Sequence, residues 1–281
     1  SVERGTGILP DVANASMDPH SSSVSVANGF AIIEAAFENA TRIVLGKPLK
    51  NLKEYGEWLG EYDIGTRTVR SAVSDKTVYA PAFSFYLPLM KNFVKVGEAL
   101  ELGKRGVAKG EIERMDLNNA SEMLRGIAYF SPEIVFGKNM NIIESGDYQD
   151  DNNIYRCSFG FNTKNAAYSF FPKFCEDVYG CNLLLYCKYC LRCRTSTNLS
   201  RCFEVTDSNA CSDCYFCHNC ENVQESMFCF NAKGLKYAIG NMEVGKEEYT
   251  RIKRIVLDEI GERLEKDRDL KLSIYDIGAK R

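Results

Sequence analysis

Apolar residues recur at helical spacing in the segment that follows residue 25. Within residues 28–48 (NGFAIIEAAFENATRIVLGKP), the large apolar side chains share one helical face: Phe30, Ile33, Phe37, Ala40 and Val44. Gly46 and Pro48 supply a stop signal after them. The pattern therefore predicts an amphipathic helix, followed by a shorter helix through Leu52, Tyr55 and Trp58.

The pattern becomes strand-like from Tyr62 to Met90. The runs IGTRTVRSAV and TVYAPAFSFYLPLM predict two strands joined at a hairpin near Asp75 and Lys76. Pro81 and Pro88 indicate that the second strand lies at an edge or is broken. Two further helices are predicted in KNFVKVGEALELGKRG and NNASEMLRGIAYFSP. Residues 26–135 are therefore expected to form an α+β module, preceded by an extended N-terminal arm at residues 1–25.

The strongest pattern in the sequence is the spacing of the cysteines. All twelve lie between Cys157 and Cys229, and every gap between successive cysteines is a multiple of three. Random placement would do this about once in a hundred thousand sequences, so an internal repeat is the first interpretation. One column recurs at a constant interval along the chain: Cys157, Cys175, Cys193, Cys211 and Cys229. Parallel columns hold Cys, Val, Ala, Ser or Leu, which are small or apolar.

A regular inward lattice of small residues is what a solenoid requires, because each coil stacks on the next. Residues 136–244 are therefore predicted to form a Cys-rich repeat of about six 18-residue coils. In its period and its small inward residues this segment resembles short-coil β-solenoid proteins. Since an inward residue at every third position is unusual for a flat strand, the coil must be narrow and sharply cornered.

Two other interpretations of the cysteines remain open. The pairs Cys187/Cys190 and Cys214/Cys217 have the spacing of a four-cysteine zinc site, which would make the segment a metal-binding interaction module. Disulfides between coils are also sterically possible, because the stacking distance of about 4.8 Å falls in the Cα range of a disulfide. Buried, reduced packing cysteines are preferred, since the lattice itself creates such pairs.

The sequence offers no catalytic constellation. His20 and His218 are the only histidines, and His218 directly follows Cys217, a poor arrangement for a base and its nucleophile. The acids Asp147, Asp150 and Asp151 could hold a cation, but a polar turn is the preferred interpretation. No catalytic, cofactor-binding or metal-binding residue is therefore predicted, and the chain is not expected to be an enzyme.

Composition narrows the classes of partner. The 281 residues carry a formal net charge of −3, which gives no electrostatic support for nucleic-acid binding. No apolar run approaches the roughly 20 residues that span a bilayer. The chain begins at Ser1 without a methionine, and both trimming and proteolytic processing would explain this. An intracellular or virion location is expected.

Residues 245–281 are predicted to form a C-terminal amphipathic helix and tail. Its apolar stripe contains Tyr249, Ile252, Val256, Ile260 and Leu264. Aromatic residues crowd the repeat and some must face outward, which favours burial by the N-terminal module or by neighbouring subunits. The expected function is that of a structural, self-associating protein, possible forms being a virion, capsid or shell component. Self-association is expected through the arm, the aromatic solenoid surface and the C-terminal helix.

Overall fold

A computed structural model describes residues 23–61, 63–187, 191–192, 194–199, 203–206, 210–218 and 221–279. Most of the predicted arm lies outside these residues. So do four cysteines of the repeat, which are Cys190, Cys193, Cys202 and Cys220. Within strands, only the backbone is described at Cys187, Cys211, Cys214 and Cys217.

The first predicted helix is present as α1 (Ser23–Leu45). Its predicted face is buried at Ile33, Phe37, Ala40 and Val44. The chain then turns at Gly46, where φ is +77°, a conformation that glycine adopts without steric cost. A 3₁₀ turn (Leu52–Tyr55) and α2 (Gly56–Gly60) follow, and they bury Tyr55 and Trp58 as the pattern predicted.

The predicted hairpin is also present. Strand β1 (Thr66–Arg70) pairs antiparallel with β2 (Thr77–Pro81), and the turn between them includes Asp75 and Lys76. The prediction that the second strand continues to Met90 is wrong, because residues Ser84–Asn92 form a 3₁₀ helix. Proline accounts for the difference, since Pro81 and Pro88 have no N–H to donate to a strand ladder.

Short helices connect the hairpin to the repeat. Helix α3 (Val96–Leu102) occupies the segment predicted as helical, and α4 is Lys109–Ile112. The helix predicted in residues 118–132 is reduced to the single turn of α5 (Ala120–Met123). Gly126 follows closely, and glycine disfavours continued helix by about 1 kcal/mol relative to alanine.

Residues 135–239 form a β-solenoid, as predicted. Its strands are β3 (Val135–Phe136), β4 (Met140–Ile143), β5 (Tyr148–Gln149), β6 (Asn152–Tyr155), β7 (Gly160–Phe161), β8 (Lys164–Ala167), β9 (Phe170–Lys173), β10 (Glu176–Tyr179), β11 (Asn182–Cys187), β12 (Arg194–Leu199), β13 (Phe203–Thr206), β14 (Ala210–His218), β15 (Glu221–Met227) and β16 (Ala238–Ile239). From β3 to β11 its strands alternate between two sheets on two sides of the coil, and within each sheet they pair in parallel with strands of neighbouring coils. Strand β17 (Met242–Glu243) turns back and pairs antiparallel with β16.

The prediction of an 18-residue coil is wrong, because the strand register joins positions that are 12 apart, as do the hydrogen bonds between coils. One column is continuous along the solenoid: Ile143, Tyr155, Ala167, Tyr179, Leu191, Phe203, Tyr215, Met227 and Ile239. The 18-residue interval between Cys157, Cys175 and the later cysteines of that series therefore corresponds to one and a half coils. Cys157 and Cys175 lie on opposite sides of the coil and not in one column.

The spacing of three arises from the corners of the coil. Every third residue of the early coils has a positive φ, for example Asn153 (57°), Arg156 (51°) and Phe159 (58°). Each side of the coil thus has two extended positions and one left-handed position, and four such sides complete the coil. The expectation of a narrow, sharply cornered coil is confirmed. A left-handed conformation costs most residue types about 1–2 kcal/mol, and asparagine is among those that tolerate it best.

Inward side chains link one coil to the next through hydrogen bonds. Ser145 Oγ accepts from the backbone N–H of Cys157 at 3.0 Å, and Ser169 Oγ accepts from that of Cys181 at 3.2 Å. Cys157 accepts in the same way from the backbone N–H of Ser169. These side chains also donate to the carbonyl two residues earlier, as Ser145 does to Ile143 and Cys157 to Tyr155. Cys and Ser therefore perform the same structural task in the lattice.

The main core lies between one side of the solenoid and the helices. The column residues Tyr155, Tyr179 and Phe203 are buried with Phe37 of α1 and with Trp58. Helix α6 (Lys246–Asp267) covers later coils, and α7 is Ile274–Ala279. Along the predicted stripe of α6, Tyr249, Ile260 and Leu264 are buried, and Ile252 and Val256 pack against the same core. A helix-and-strand N-terminal region, a central β-solenoid and a C-terminal helix are thus all present.

Candidate functional site

The side of the solenoid that carries β7 and β9 bears a continuous group of aromatic rings, here called the aromatic band. Its members come from residues 83–86, at the start of the 3₁₀ segment, and from the early coils: Phe83, Phe85, Tyr86, Phe159, Phe161, Phe170, Phe171 and Phe174. Helix α1 contacts β4, β6, β8 and β10, which form the other sheet of these coils. The aromatic band therefore lies on the sheet that α1 leaves uncovered.

Phe83 joins the two parts of the aromatic band. Its ring centroid lies 5.0 Å from that of Phe85 and 5.7 Å from those of Phe159 and Phe170. Phe159 continues the contact to Phe171 at 6.2 Å. Edge-to-face and offset pairs at such distances are favourable, so the band is a packed layer and not a set of isolated rings.

A lysine bridges the rest of the aromatic band. The Lys173 ammonium lies 4.0 Å from the ring centroid of Phe171 and 5.9 Å from that of Phe161. Phe161 in turn contacts Phe174, with centroids 5.3 Å apart. Two side chains remain largely accessible at the two ends, since Phe85 is 62% exposed and Phe174 is 49% exposed. The band is thus an apolar surface with a cation held over its rings.

The aromatic residues of the repeat therefore have two different environments. Tyr155, Tyr179 and Phe203 are covered by helices of the same chain. Phe161, Phe171 and Phe174 lie on the side of the solenoid that α1 does not contact. The sequence showed that aromatic residues crowd the repeat and that some must face outward, but it gave no sign that Phe83 and Phe85 would contact them. That contact is tertiary, because the 3₁₀ segment is distant in sequence from the coils it touches.

Two of the three acids singled out in the sequence are buried in separate surroundings. Asp147 Oδ1 accepts from the backbone N–H of Ile134, and Asp151 Oδ1 accepts from that of Thr163 at 2.7 Å. The second oxygen of each carboxylate has no hydrogen-bond partner among the described residues. Burial raises the pKa of Asp147 to about 7 and the pKa of Asp151 to about 7.

These acids do not form a cation site. Asp150 is exposed at a corner and accepts from the backbone N–H of Lys138 at 2.8 Å. A Cβ at position 160 would collide with Asp151 Oδ2, so the space beside that oxygen is filled by the backbone of Gly160. Within the described part of the chain, no group of three His, Cys, Asp or Glu side chains is arranged to hold a metal ion.

The cysteines whose side chains are described lie buried in the interior of the solenoid. Cys157 is a free, buried thiol, and burial raises its pKa well above the usual range of a thiol, which disfavours the nucleophilic thiolate. Cys175, Cys181 and Cys229 are also buried, and each Sγ donates to the carbonyl oxygen two residues earlier. The predicted zinc pairs, Cys187/Cys190 and Cys214/Cys217, and the side chain of His218 lie outside the described side chains.

Comparison with known proteins found no matching family model, no matching curated protein and no matching solved structure. Among the described helices, none has the length and apolar character needed to cross a membrane.

Proposed function

We propose that the chain is a structural protein that associates with copies of itself, and that the aromatic band is one of its contact surfaces. The observation that carries the proposal is the band itself, a layer of packed rings with Phe85 and Phe174 exposed at its ends. Aromatic side chains are enriched in protein–protein contacts, and exposed ones such as these are candidates for burial by a second copy.

The interior of the solenoid supports a structural role. Its inward positions are used for packing and for hydrogen bonds between coils, as at Ser145, Cys157 and Ser169. The described side chains include no set arranged for acid–base or nucleophilic chemistry beyond the separately buried Asp147 and Asp151. A rigid rod covered on one side by helices suits a component of a larger assembly, such as a virion or a shell.

Sedimentation velocity of the full chain over a range of concentrations tests the proposal. The variant Phe174→Glu places a charge at an exposed end of the aromatic band, so we expect it to weaken self-association by about tenfold or more. Leu117→Glu is the matched control, because Leu117 is 97% exposed and lies outside the band. The control should associate as the wild type does.

A wild-type chain that stays monomeric at every concentration would show that the proposed function is wrong. If the wild type associates and Phe174→Glu and Leu117→Glu behave alike, the aromatic band is not the contact surface.

A further inference from the structure

The two ends of the solenoid differ in how they are closed. At the C-terminal end, β17 folds back on β16, and the Asn241 side chain both donates to and accepts from the backbone of Phe230 at 2.8 Å. Lys236 N–H is also bonded, to the Glu243 carboxylate at 3.0 Å. The last coil thus ends in a turn that is hydrogen-bonded to the backbone at Phe230 and Lys236.

At the N-terminal end, the described residues include no comparable closure. Strand β4 is the last strand of its sheet and has β6 as its only strand neighbour, and β3 likewise has only β5. The outer backbone groups of these two strands therefore have no strand partner among the described residues. An open strand edge of this kind is a template for pairing with another chain.

Apolar side chains border this open edge. Met140 is 58% exposed and Phe136 is 44% exposed, although both belong to the first coil. Ile142 occupies an inward position in the column that continues with Ile154, yet it is only partly buried because no coil precedes it. Repeat proteins normally end in a coil with a polar outer face, whereas the first coil here exposes Met140 and Phe136.

We infer that the open edge formed by β3 and β4 pairs with the same edge of a second copy of this chain, end to end. This inference rests on the proposed function and names a second contact surface for it. The partner must follow the corners of the coil, because φ is positive at Gly137 (69°), Asn141 (55°) and Glu144 (47°).

Those corners select the partner. A straight peptide strand can pair with only one side of the coil before the chain turns away from it. A second coil of the same shape turns at the same places, so it can pair along several sides. The C-terminal end is already closed by β17, which favours a contact between two N-terminal ends. Such a contact is isologous, since each copy presents the same residues around a two-fold axis.

The open stretch is limited by the chain's own elements. The carbonyl oxygen of Tyr79 in β2 would lie 2.8 Å from a Cβ at Gly146, so β2 already lies against the first coil there. Asn141 packs closely against Gly29 of α1. The pairing surface therefore lies within the stretch from Phe136 to Ile143, interrupted by α1 at Asn141, and Met140 is its most exposed apolar side chain.

Charge at Met140 tests the inference, with sedimentation velocity of the full chain as the readout. A two-fold contact brings the two Met140 side chains of the pair into the same region, so Met140→Lys and Met140→Glu should each weaken association about tenfold by like-charge repulsion. An equimolar mixture of the two variants should restore association, because Lys then faces Glu. Met242→Lys is the matched control, since Met242 is 68% exposed at the closed C-terminal end.

The outcomes separate the two proposals. The end-to-end contact is wrong, while the proposed function stands, if the wild type associates and the Met140 variants associate as strongly as Met242→Lys. The same holds if the mixture of the two Met140 variants regains no association. If the wild type is monomeric throughout, both are wrong. Circular dichroism melting of each variant distinguishes lost association from lost folding.

Discussion

The carboxyl group of Asp151 shows how one inward residue couples the fold to pH. It is fully buried, one oxygen accepts the Thr163 N–H, and the other has no partner among the described residues. Its pKa is about 7 in the folded chain, against 3.8 for an ordinary aspartate, and burial is the main cause. The folded chain therefore keeps a proton that the unfolded chain releases between about pH 4 and pH 7. Stability contributed by this group consequently falls as pH rises through that window.

Asp151→Asn should reduce this pH dependence. Asparagine keeps an oxygen for the Thr163 N–H and stays neutral, so we expect the loss of unfolding free energy between pH 5 and pH 8 to shrink by about 2 kcal/mol. Urea denaturation at a series of pH values measures it. Asp150→Asn, at the exposed neighbouring position, is the matched control. A profile for Asp151→Asn that runs parallel to the wild type would show that Asp151 does not titrate in this window.

At the scale of the element, the coil explains why cysteine and serine alternate in the lattice. After the corners at Arg156, Tyr168 and Gly180, the next N–H is bonded to a γ atom of the preceding coil, as the Cys157 N–H is to Ser145. Small residues with an accepting γ atom fit this position, whereas valine or alanine leaves that N–H without this partner. The cysteines thus do more than fill space, which was the role expected from their size.

Substitution of Cys157 tests these hydrogen bonds between coils. Serine keeps both hydrogen bonds, so Cys157→Ser should change the free energy of unfolding by less than about 1 kcal/mol. Cys157→Ala leaves the Ser169 N–H unsatisfied and opens a small cavity, and should cost about 2 kcal/mol. Urea denaturation under reducing conditions compares the two. An equal loss of unfolding free energy in Cys157→Ser and Cys157→Ala would contradict a role for these hydrogen bonds.

Sequence patterns predicted the elements that depend on local periodicity. The face of α1 and the stripe of α6 follow from residues three and four apart, and the repeat follows from the spacing of three. The coil length did not follow, because a spacing of three is compatible with a coil of four sides or of six. The cysteines that recur every 18 residues favoured a coil of six sides. Only the strand register, such as Ile142 beside Ile154, decides between them.

On the scale of the whole molecule, the two sides of the solenoid differ in whether helices cover them. Helices α1 and α6 cover one side and share its core, which the buried Phe37, Tyr179 and Leu264 mark. Phe85 and Phe174 of the aromatic band and Met140 at the open edge remain accessible. The aromatic band was predictable only in part, because the contact of Phe83 with Phe159 depends on tertiary packing. Two separate accessible surfaces would allow assemblies larger than a dimer.

Sedimentation equilibrium of the wild-type chain tests self-association most directly. If the chain self-associates, its weight-average mass will rise with concentration above the 31.6 kDa of one chain. A mass that stays at 31.6 kDa across the whole concentration range would contradict it.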